Sequence, residues 1–314
     1  MVMQHPWLRQ HTALFALYAI PAFRDNYIWA IAPHHSQELC LIDPGSAQPA
    51  RQLAADLQRS ISHILITHCH PDHIGGVAEL MQHGNIQLFT PAHETYQWQF
   101  PQQSLAQHQD ISSPQADDIL IGPLRVQVLQ IPGHTQGHIG YWLTAATLTQ
   151  GETAQFNAGE EVEPSAQRIS DTPHSSAPTS GWLFCGDTVF SAGCGRVFDG
   201  SLASLYQSLR QIADLPNISG IAAGQIYLCC AHEYTLSNLN FAALVEPNNQ
   251  DRVQYQRSCE AKRQLNVPTL PTTLAQELAI NPFLRTEQLS LQQLWQQPSG
   301  FSLFSYLREW KNQA

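Results

Sequence analysis

Four side chains that can bind metal ions lie within six consecutive residues. His68 and His70 follow a short apolar segment, and Asp72 and His73 come directly after a proline. Because alternate residues of an extended chain point to the same side, His68 and His70 can share one metal ion. The proline turns the chain into a helix, so Asp72 and His73 point elsewhere. The segment therefore predicts two metal ions; the alternative is a cluster of surface histidines.

Two metal ions require more ligands than these four. Three further candidates stand at the ends of predicted strands, each directly after a small residue: His134, Asp187 and His232. A lone histidine or aspartate in such a place is more often structural. Together with the first cluster, however, the three residues complete a set of seven ligands.

Histidine and carboxylate ligands around two divalent ions favour hydrolysis. Two ions contribute about +4, two carboxylates about −2 and a hydroxide about −1, so the site keeps roughly one positive charge. Metal binding lowers the pKa of water to roughly 7, which makes hydroxide available near neutral pH. Positive charge beside a substrate carbonyl would stabilise the oxyanion that forms after attack. This chemistry needs no cysteine nucleophile, and we expect Cys69 to point away from the histidines that flank it.

The composition predicts a folded protein that binds neither polyanions nor lipid surfaces. A chain of 314 residues with 43% hydrophobic residues can form one large domain, or a large and a small one. Only 13% of the residues are charged, and the formal net charge is −10. Because nucleic acids and anionic membranes attract basic faces, we expect no nucleic acid and no membrane as partners. We take a monomer as the default state.

The cysteines and the N-terminal segment indicate the compartment. The seven cysteines have no regular spacing and form no Cys-x-x-Cys pair, which predicts reduced thiols and a cytoplasmic location. The apolar segment Thr12–Phe23 follows an arginine and ends in small residues, so it fits either a signal peptide or a first β-strand. We favour the strand. No apolar run approaches the roughly 18 residues of a membrane span.

Strand and helix patterns alternate along the first part of the chain. The strand candidates are rich in β-branched and aromatic residues and are bounded by turn residues. They are Tyr27–Ala32, Glu38–Ile42, His63–Thr67, Ile86–Thr90, Leu124–Gln130, His138–Thr144 and Gly181–Gly186. The helix candidates between them are Ala47–Ser60 and Ile74–Gln82. This alternation predicts layers of α and β structure.

Two later segments differ from this pattern. Residues 147–180 are rich in Ala, Ser, Thr, Gln, Glu and Pro, and we expect a mobile insertion because they cannot bury enough apolar surface. Beyond His232 helix patterns take over. Helices are predicted at Leu236–Val245, Gln250–Leu265, Thr273–Leu278, Leu289–Gln296 and Phe301–Asn312. Thr273 and Gln276 form a candidate capping box, and Phe301, Phe304 and Leu307 lie on one helical stripe.

Four motifs, in this order, resemble the metallo-β-lactamase superfamily: Thr67–His73, Gly133–His138, Gly186–Thr188 and His232–Thr235. Three further segments are similar to one of its families, glyoxalase II or hydroxyacylglutathione hydrolase: Phe23–Tyr27, Ala192–Arg196 and Asn281–Arg285. The resemblance implies an α+β fold, an αββα sandwich followed by a small C-terminal helical domain. It divides the chain into an N-terminal extension (1–16), a catalytic domain (17–232) and a helical substrate-binding domain (233–314).

The resemblance also assigns the ligands. It implies that His68, His70 and His134 bind one metal, that Asp72, His73 and His232 bind the other, and that Asp187 bridges the two. The implied catalytic residues are Asp72 and Asp187, and the implied nucleophile is a hydroxide that bridges the metals. Zinc is the expected metal, with iron or manganese as alternatives. His138 is not expected to be a ligand; it either supports the site through a hydrogen bond or is a satisfied core histidine.

The expected reaction is hydrolysis of S-(2-hydroxyacyl)glutathione thioesters, typically S-D-lactoylglutathione to D-lactate and glutathione, which detoxifies methylglyoxal. The residues implied to contact glutathione are Arg196, Phe198, Tyr234, Arg308 and Lys311. The spacing of the last two also fits an ordinary solvated helix face. Phe198 stands where some members have tyrosine, and Ala231 replaces a usual glycine.

The same motifs are compatible with other functions. Within the superfamily the chain could instead be a lactonase, a nuclease or a β-lactamase. Outside hydrolysis, a persulfide dioxygenase with one iron, or a protein that only binds metal, would use part of the same ligand set. The acidic composition argues against the nuclease, and the complete second set of ligands argues against the dioxygenase.

Overall fold

Two β-sheets form the centre of the fold. The structure, a computed structural model, describes residues 5–82, 84–106, 111–113, 115, 117–144 and 179–313. Within these residues the first sheet contains β1 (Leu8–His11), β2 (Phe15–Ala22), β3 (Asn26–Pro33), β4 (Glu38–Ile42), β5 (Ser60–Leu65), β6 (Gln87–Pro91) and β7 (Gln103–Leu105), in that spatial order. Neighbours are antiparallel from β1 to β4 and parallel from β4 to β7.

The second sheet comes from the later part of the chain. Its strands in chain order are β8 (Ile119–Ile121), β9 (Leu124–Gln130), β10 (Ile139–Thr144), β11 (Gly181–Gly186), β14 (Ile226–Cys230) and β15 (Thr272–Thr273). They pair in the order β15-β14-β11-β10-β9-β8, and only β11 and β14 are parallel to each other. Two short strands, β12 (Val189–Phe190) and β13 (Gly193–Cys194), form a separate hairpin.

The alternation of side chains along β2 shows how the layers are built. Phe15 and Leu17 point into the core between the sheets, whereas Ala16 and Ile20 join an apolar cluster on the opposite face. That second cluster is covered by α1 (Ala47–Asp56). A strand with both faces buried needs apolar residues throughout, which is the pattern of this segment. The strand interpretation of the first apolar segment is therefore confirmed.

Helices cover both outer faces. The remaining helices before His232 are α2 (Pro71–Ile74), α3 (Val77–Met81), α4 (Leu202–Ala213), α5 (Leu215–Ser219) and a 3₁₀ turn, Ala223–Gln225. Leu205 and Leu209 of α4 belong to the same large apolar cluster as Phe15, Leu17 and the strands of the second sheet. The predicted αββα sandwich is thus confirmed.

The predicted helix Ile74–Gln82 is wrong as a single helix. The chain forms α2 and α3 instead, separated at Gly75 and Gly76. A Cβ on Gly76 would lie 2.5 Å from the backbone nitrogen of Ala47. The break therefore allows the start of α1 to approach this turn closely. The predicted helix Ala47–Ser60 likewise ends earlier, at Asp56, because Ser60 begins β5.

Several elements were not predicted, among them β1, α4 and β14. The predicted strand His63–Thr67 begins at Ser60 and ends at Leu65. It ends there because the Thr67 N–H donates to a side chain, Asp43 Oδ1 (2.8 Å), instead of to a neighbouring strand. The predicted insertion, residues 147–180, lies outside the described residues except for its last two.

The C-terminal region is helical, as predicted. It contains α6 (Thr235–Val245), α7 (Gln250–Gln264), α8 (Leu274–Ile280), α9 (Leu289–Leu294) and α10 (Gly300–Gln313). Thr273 Oγ1 accepts the Gln276 N–H (3.2 Å), so the Thr273 half of the predicted capping box is confirmed. No helix in the described part of the chain is long and apolar enough to cross a membrane.

The buried face of α10 differs from the predicted stripe. Phe304 and Leu307 are fully buried, but Phe301 is 41% exposed and packs its ring against Tyr206. Arg308 takes part in the buried face and is only 2% exposed. The predicted stripe is therefore buried at Phe304 and Leu307 and partly exposed at Phe301, and the alternative of a solvated face is excluded for Arg308.

Candidate metal centre

The predicted metal ligands all follow strands. The first four follow β5, whereas the others follow β9, β11 and β14, so both sheets contribute. The structure brings together all seven: His68, His70, Asp72, His73, His134, Asp187 and His232. Most of these side chains are buried, whereas His70 and Asp72 are partly exposed.

Three ring nitrogens converge at one side of the site. His70 Nδ1 lies 3.1 Å from His68 Nε2 and 3.1 Å from His134 Nε2. A single hydrogen atom cannot satisfy three nitrogens that face one another. A metal ion with nitrogen ligands can, and this donor set suits zinc, copper, iron or nickel.

A second group lies beside the first. Asp72 Oδ2 is 3.6 Å from His73 Nε2 and 3.4 Å from His232 Nε2. Asn26 Nδ2 donates to the same carboxylate oxygen (2.8 Å) and fixes its direction. Two imidazoles and one carboxylate form a common set of ligands for a divalent ion.

Asp187 faces both groups. Its Oδ2 is 3.5 Å from His134 Nε2, and its Oδ1 is 3.5 Å from His73 Nε2 and 3.4 Å from His232 Nε2. Asp187 Oδ1 and His73 Nε2 are buried and have no hydrogen-bond partner among the described residues. Buried polar atoms without partners are rare and call for an explanation, such as an ion. The residues present therefore fit metal ions.

The rings are held in the orientation that metal binding needs. In four of the five histidines Nδ1–H donates to a neighbour, which leaves the lone pair of Nε2 directed into the site. The acceptors are Thr67 Oγ1 for His68 (3.1 Å), Asp43 Oδ2 for His73 (3.0 Å), the Arg196 carbonyl for His134 (2.8 Å) and Asp25 Oδ1 for His232 (3.0 Å).

Three of the supporting residues were not predicted individually. Asp25 and Asn26 lie in the segment Phe23–Tyr27, and its similarity to the family was the only signal that they matter. Asp43 gave no signal in the sequence. Its carboxylate accepts Thr67 N–H (2.8 Å), Thr67 Oγ1–H (2.6 Å) and His73 Nδ1–H (3.0 Å). Asp43 thus positions His73 and has its own oxygens occupied.

Glu94 joins the two loops that carry the first group. Its Oε2 accepts the Cys69 N–H (3.0 Å), and its Oε1 accepts the Thr135 hydroxyl (2.6 Å) and the Gly137 N–H (3.1 Å). The Cys69 side chain packs against the apolar cluster under α1, away from the ring nitrogens, as expected. Burial raises the pKa of this thiol to about 12.

His138 lies behind the predicted metal ligands and is fully buried. Its Nε2 accepts the Asp187 N–H (3.1 Å), so Nδ1 carries the proton and faces Thr188 Oγ1 (3.2 Å). The ring also stacks on His68, with centroids 4.8 Å apart. Since Nε2 is occupied by a backbone N–H, His138 contacts the site through hydrogen bonds and ring packing.

The carboxylates favour positive charge at the second group. Burial lowers the pKa of His73, but Asp187, Asp43 and Asp72 outweigh burial and raise that pKa to about 9. At His68 no carboxylate compensates, so burial and the neighbouring histidines lower its pKa well below the usual value. A metal ion at His73 would have to displace a proton, whereas the ring of His68 could bind one without losing a proton.

Phe198 and Tyr234 stand at the mouth of the site. The ring of Phe198 is 64% exposed, and its centroid lies 5.0 Å from the rings of both His70 and His134. Tyr234 stacks on His232, with centroids 4.7 Å apart and planes within 8°. Both predicted contact residues therefore flank the ligands, one beside each group.

The three predicted cations lie close to one another but differ in exposure. Arg196 is exposed, whereas the Arg308 Nη1 group donates to the carbonyls of Cys194 (2.9 Å) and Gly195 (3.3 Å). Lys311 is half-buried and donates to Asn238 Oδ1. Burial lowers the pKa of Lys311 to about 7, and the charges of Arg308 and Arg196 add to this effect.

Comparison with known proteins identifies the family. Residues 23–148 match the family model of the metallo-beta-lactamase superfamily, and residues 233–314 match that of the hydroxyacylglutathione hydrolase C-terminus. The hydroxyacylglutathione hydrolase of Albidiferax ferrireducens is 39% identical over 302 residues, which cover 95% of this chain and 99% of that protein. The chain belongs to the hydroxyacylglutathione hydrolase family.

Other members of the hydroxyacylglutathione hydrolase family agree. The hydroxyacylglutathione hydrolase of Vibrio cholerae is 38% identical over 300 residues, with 94% of this chain and 98% of that protein covered. That of Shewanella pealeana is 36% identical over 306 residues, with 93% and 97% covered. The resemblance that the motifs predicted is therefore confirmed.

Solved structures support the fold of this hydroxyacylglutathione hydrolase family member. A metallo-beta-lactamase from Staphylococcus aureus superposes with a TM-score of 0.55 at 19% identity and covers 95% of this chain and 72% of its own. The ETHE1 protein of Myxococcus xanthus has a TM-score of 0.52 at 19% identity, with 92% and 90% covered. At this identity the likeness shows the fold alone, which is the metallo-β-lactamase fold with histidine and aspartate groups that can bind metal.

Proposed function

We propose that this protein hydrolyses S-(2-hydroxyacyl)glutathione thioesters, S-D-lactoylglutathione above all, to a 2-hydroxy acid such as D-lactate and glutathione. The observation that carries the proposal is the juxtaposition of two groups of metal ligands with Asp187 between them, beside cations from the C-terminal region. Family membership supports the same activity. Hydrolysis of S-D-lactoylglutathione would serve the detoxification of methylglyoxal.

We further propose two divalent ions, with zinc as the expected metal and iron or manganese as alternatives. His68, His70 and His134 would hold one ion, Asp72, His73 and His232 the other, and Asp187 both. The unpartnered buried atoms His73 Nε2 and Asp187 Oδ1 support this assignment. When bound, divalent ions polarise a thioester carbonyl and lower the pKa of water to roughly 7.

The protein's own groups orient the reaction. Asn26 and Asp25 fix the directions of Asp72 and His232 through their hydrogen bonds. The Asp72 side chain is 41% exposed and that of Asp187 only 10%, so Asp72 is the more accessible of the two carboxylates to water and substrate. We assign its carboxylate to accept a proton from the attacking water. Cysteine and serine nucleophiles are not required.

Glutathione supplies two carboxylates, and cations should bind them. Arg196 is exposed at the site and Lys311 is half-buried, so both suit direct contact. Tyr234 and Phe198 would line the path of the thioester between them. Arg308 has its Nη1 on backbone carbonyls, while its Nε is buried and unpartnered, so its contribution to binding would act partly through the loop it holds.

The test is a comparison of substrates on one preparation. Purified protein with known metal content is assayed on S-D-lactoylglutathione, a lactone, a β-lactam and glutathione persulfide. We expect thioester hydrolysis to have by far the highest kcat/KM. Slow thioester turnover with fast turnover of any of the others would refute the proposal. A monomeric state and a cytoplasmic location remain predictions, which size-exclusion chromatography with light scattering and cell fractionation would check.

A further inference from the structure

The segment Val189–Arg196, here called the connecting hairpin, joins two parts of the site. It begins two residues after Asp187 and contains β12 and β13. At its far end the Arg196 carbonyl accepts the His134 Nδ1–H (2.8 Å). Its position therefore affects a metal ligand at each end and the side chain of Arg196.

The connecting hairpin lies directly against Asp187. The Gly195 N–H donates to the Thr188 carbonyl (3.3 Å), and a Cβ on Gly195 would lie 2.0 Å from the Asp187 carbonyl oxygen. No other residue fits at Gly195 without moving one of the two backbones. A displacement of the hairpin would thus be transmitted to Asp187.

Side chains from the C-terminal region bind the backbone of the connecting hairpin. They come from α6, α10 and the residue after α8. Asn281 Nδ2 donates to the carbonyls of Phe190 (3.1 Å) and Gly193 (2.9 Å), Asn238 Nδ2 to that of Ser191 (2.9 Å), and Arg308 Nη1 to those of Cys194 (2.9 Å) and Gly195 (3.3 Å). These donors leave the hairpin little freedom to move.

Glu277 of α8 lies at the centre of these contacts and is fully buried. Its Oε2 accepts the Ala192 N–H (2.7 Å) and Asn281 Nδ2–H (3.1 Å). Its Oε1 accepts the hydroxyls of Ser191 (2.8 Å) and Thr272 (2.9 Å). Ala192 has a φ of 56°, a conformation that a residue with a Cβ adopts only when its surroundings impose it.

Burying a carboxylate costs desolvation free energy, which the four hydrogen bonds to Glu277 offset. The carboxylate of Glu277 fixes the relative orientation of four donors from two parts of the chain, because all four must point to it at once. That arrangement fixes the turn of the connecting hairpin. The hairpin in turn contacts Asp187 and His134 and carries Arg196, so its position affects all three residues.

We propose that Glu277 is a positioning residue that fixes the relative positions of Asp187, His134 and Arg196 through the connecting hairpin. The part of this inference that concerns Asp187 and His134 does not depend on the substrate. The part that concerns Arg196 rests on the proposed function. Glu277 itself lies outside the set of groups that touch metal or substrate.

The test compares Glu277→Ala and Glu277→Gln with Leu291→Ala. Leu291 is buried in α9 and lies outside the contacts of the connecting hairpin, so its truncation controls for general loss of stability. The measurements are zinc retention against a competing chelator, thermal stability, and kcat and KM for S-D-lactoylglutathione. We expect Glu277→Ala to weaken zinc retention roughly tenfold or more and to raise KM several-fold. Leu291→Ala should lower the melting temperature and keep zinc retention and KM.

Zinc retention and KM in Glu277→Gln should lie between those of the wild type and of Glu277→Ala. The amide oxygen can still accept the Ala192 N–H, and the two hydroxyls can turn to accept from the amide nitrogen. Wild-type zinc retention in Glu277→Ala, or an equal loss in Leu291→Ala, would overturn the proposal. If Glu277→Ala does not fold, wild-type retention in Glu277→Gln overturns it instead. A wild-type protein without thioesterase activity would refute the proposed function, and the chelator comparison would still decide the role of Glu277.

Discussion

Asp187 contacts both groups of ligands, so its loss should affect both ions. Its two carboxylate oxygens lie within 3.5 Å of three imidazoles that belong to different groups. We expect Asp187→Ala to lose most of its bound metal and to reduce turnover below detection. Elemental analysis of protein purified without added metal checks this. The control is Asp251→Ala, an exposed residue in the first turn of α7. Two bound ions and full activity in Asp187→Ala would contradict the bridging role.

Lys311 should make substrate binding depend on pH. The residue can attract a carboxylate only when protonated, and its pKa is lowered to about 7 by burial and by the nearby Arg308 and Arg196. The protonated fraction therefore falls as pH rises through 7, and KM should rise roughly tenfold between pH 6 and pH 8. Cys194 also faces Lys311 and acts in the opposite direction.

The matched variants for this prediction are Lys311→Arg and Lys262→Arg. An arginine stays charged over the whole range, so Lys311→Arg should have a much flatter KM profile. Lys262 is exposed on α7, and its replacement should leave the profile unchanged. Initial rates at several substrate concentrations from pH 6 to pH 9 give the measurement. A flat KM profile in the wild type would mean that Lys311 does not contribute its charge to binding.

At the scale of elements, the loops after β5 and β9 depend on Glu94. This carboxylate accepts hydrogen bonds from Cys69, Thr135 and Gly137, and it lies between the loops that carry His70 and His134. We expect Glu94→Ala to weaken binding of one ion by about tenfold and to leave the second ion bound. Chelator titration followed by elemental analysis distinguishes the two ions. Glu79→Ala, which removes an exposed ion pair with Arg51, is the control; equal metal loss in both variants would contradict this role.

The sequence predicted the strands that lead to the ligands better than the contacts that orient the ligands. Leu124–Gln130 and Gly181–Gly186 were predicted with the observed bounds, because proline and glycine residues lie at or beside their ends. The partners of the ligands could not be predicted in the same way. Asp25 and His232 meet across 207 positions of the chain, and no local pattern records such a contact.

Arg308 shows the same limit for the helical region. Its spacing from Lys311 fits both a binding face and a solvated face, and a helical stripe cannot tell which side is buried. The observed orientation depends on the carbonyls of Cys194 and Gly195, which lie more than 110 residues earlier in the chain. Residue type and spacing therefore do not predict whether a cation binds backbone carbonyls, as Arg308 does, or stays accessible to a ligand.

At the scale of the whole molecule, metal ions would connect loops from both sheets. Their removal would leave His73 Nε2 and Asp187 Oδ1 buried without partners and three ring nitrogens facing one another. An ion present at a thousandfold excess over its dissociation constant stabilises the folded state by about 4 kcal/mol. For a domain of this size that corresponds to a change in melting temperature on the order of 10 °C.

We therefore expect chelation to lower the melting temperature by about this amount and added zinc to restore it in a concentration-dependent way. Calorimetry of the same preparation before chelation, after chelation and after zinc addition provides the measurement. Asp187→Ala supplies the control, because a protein that has already lost its metals should respond weakly to the chelator. An unchanged melting temperature in the chelated wild type, with metal loss verified, would mean that the two sheets hold the seven side chains together without help from the ions.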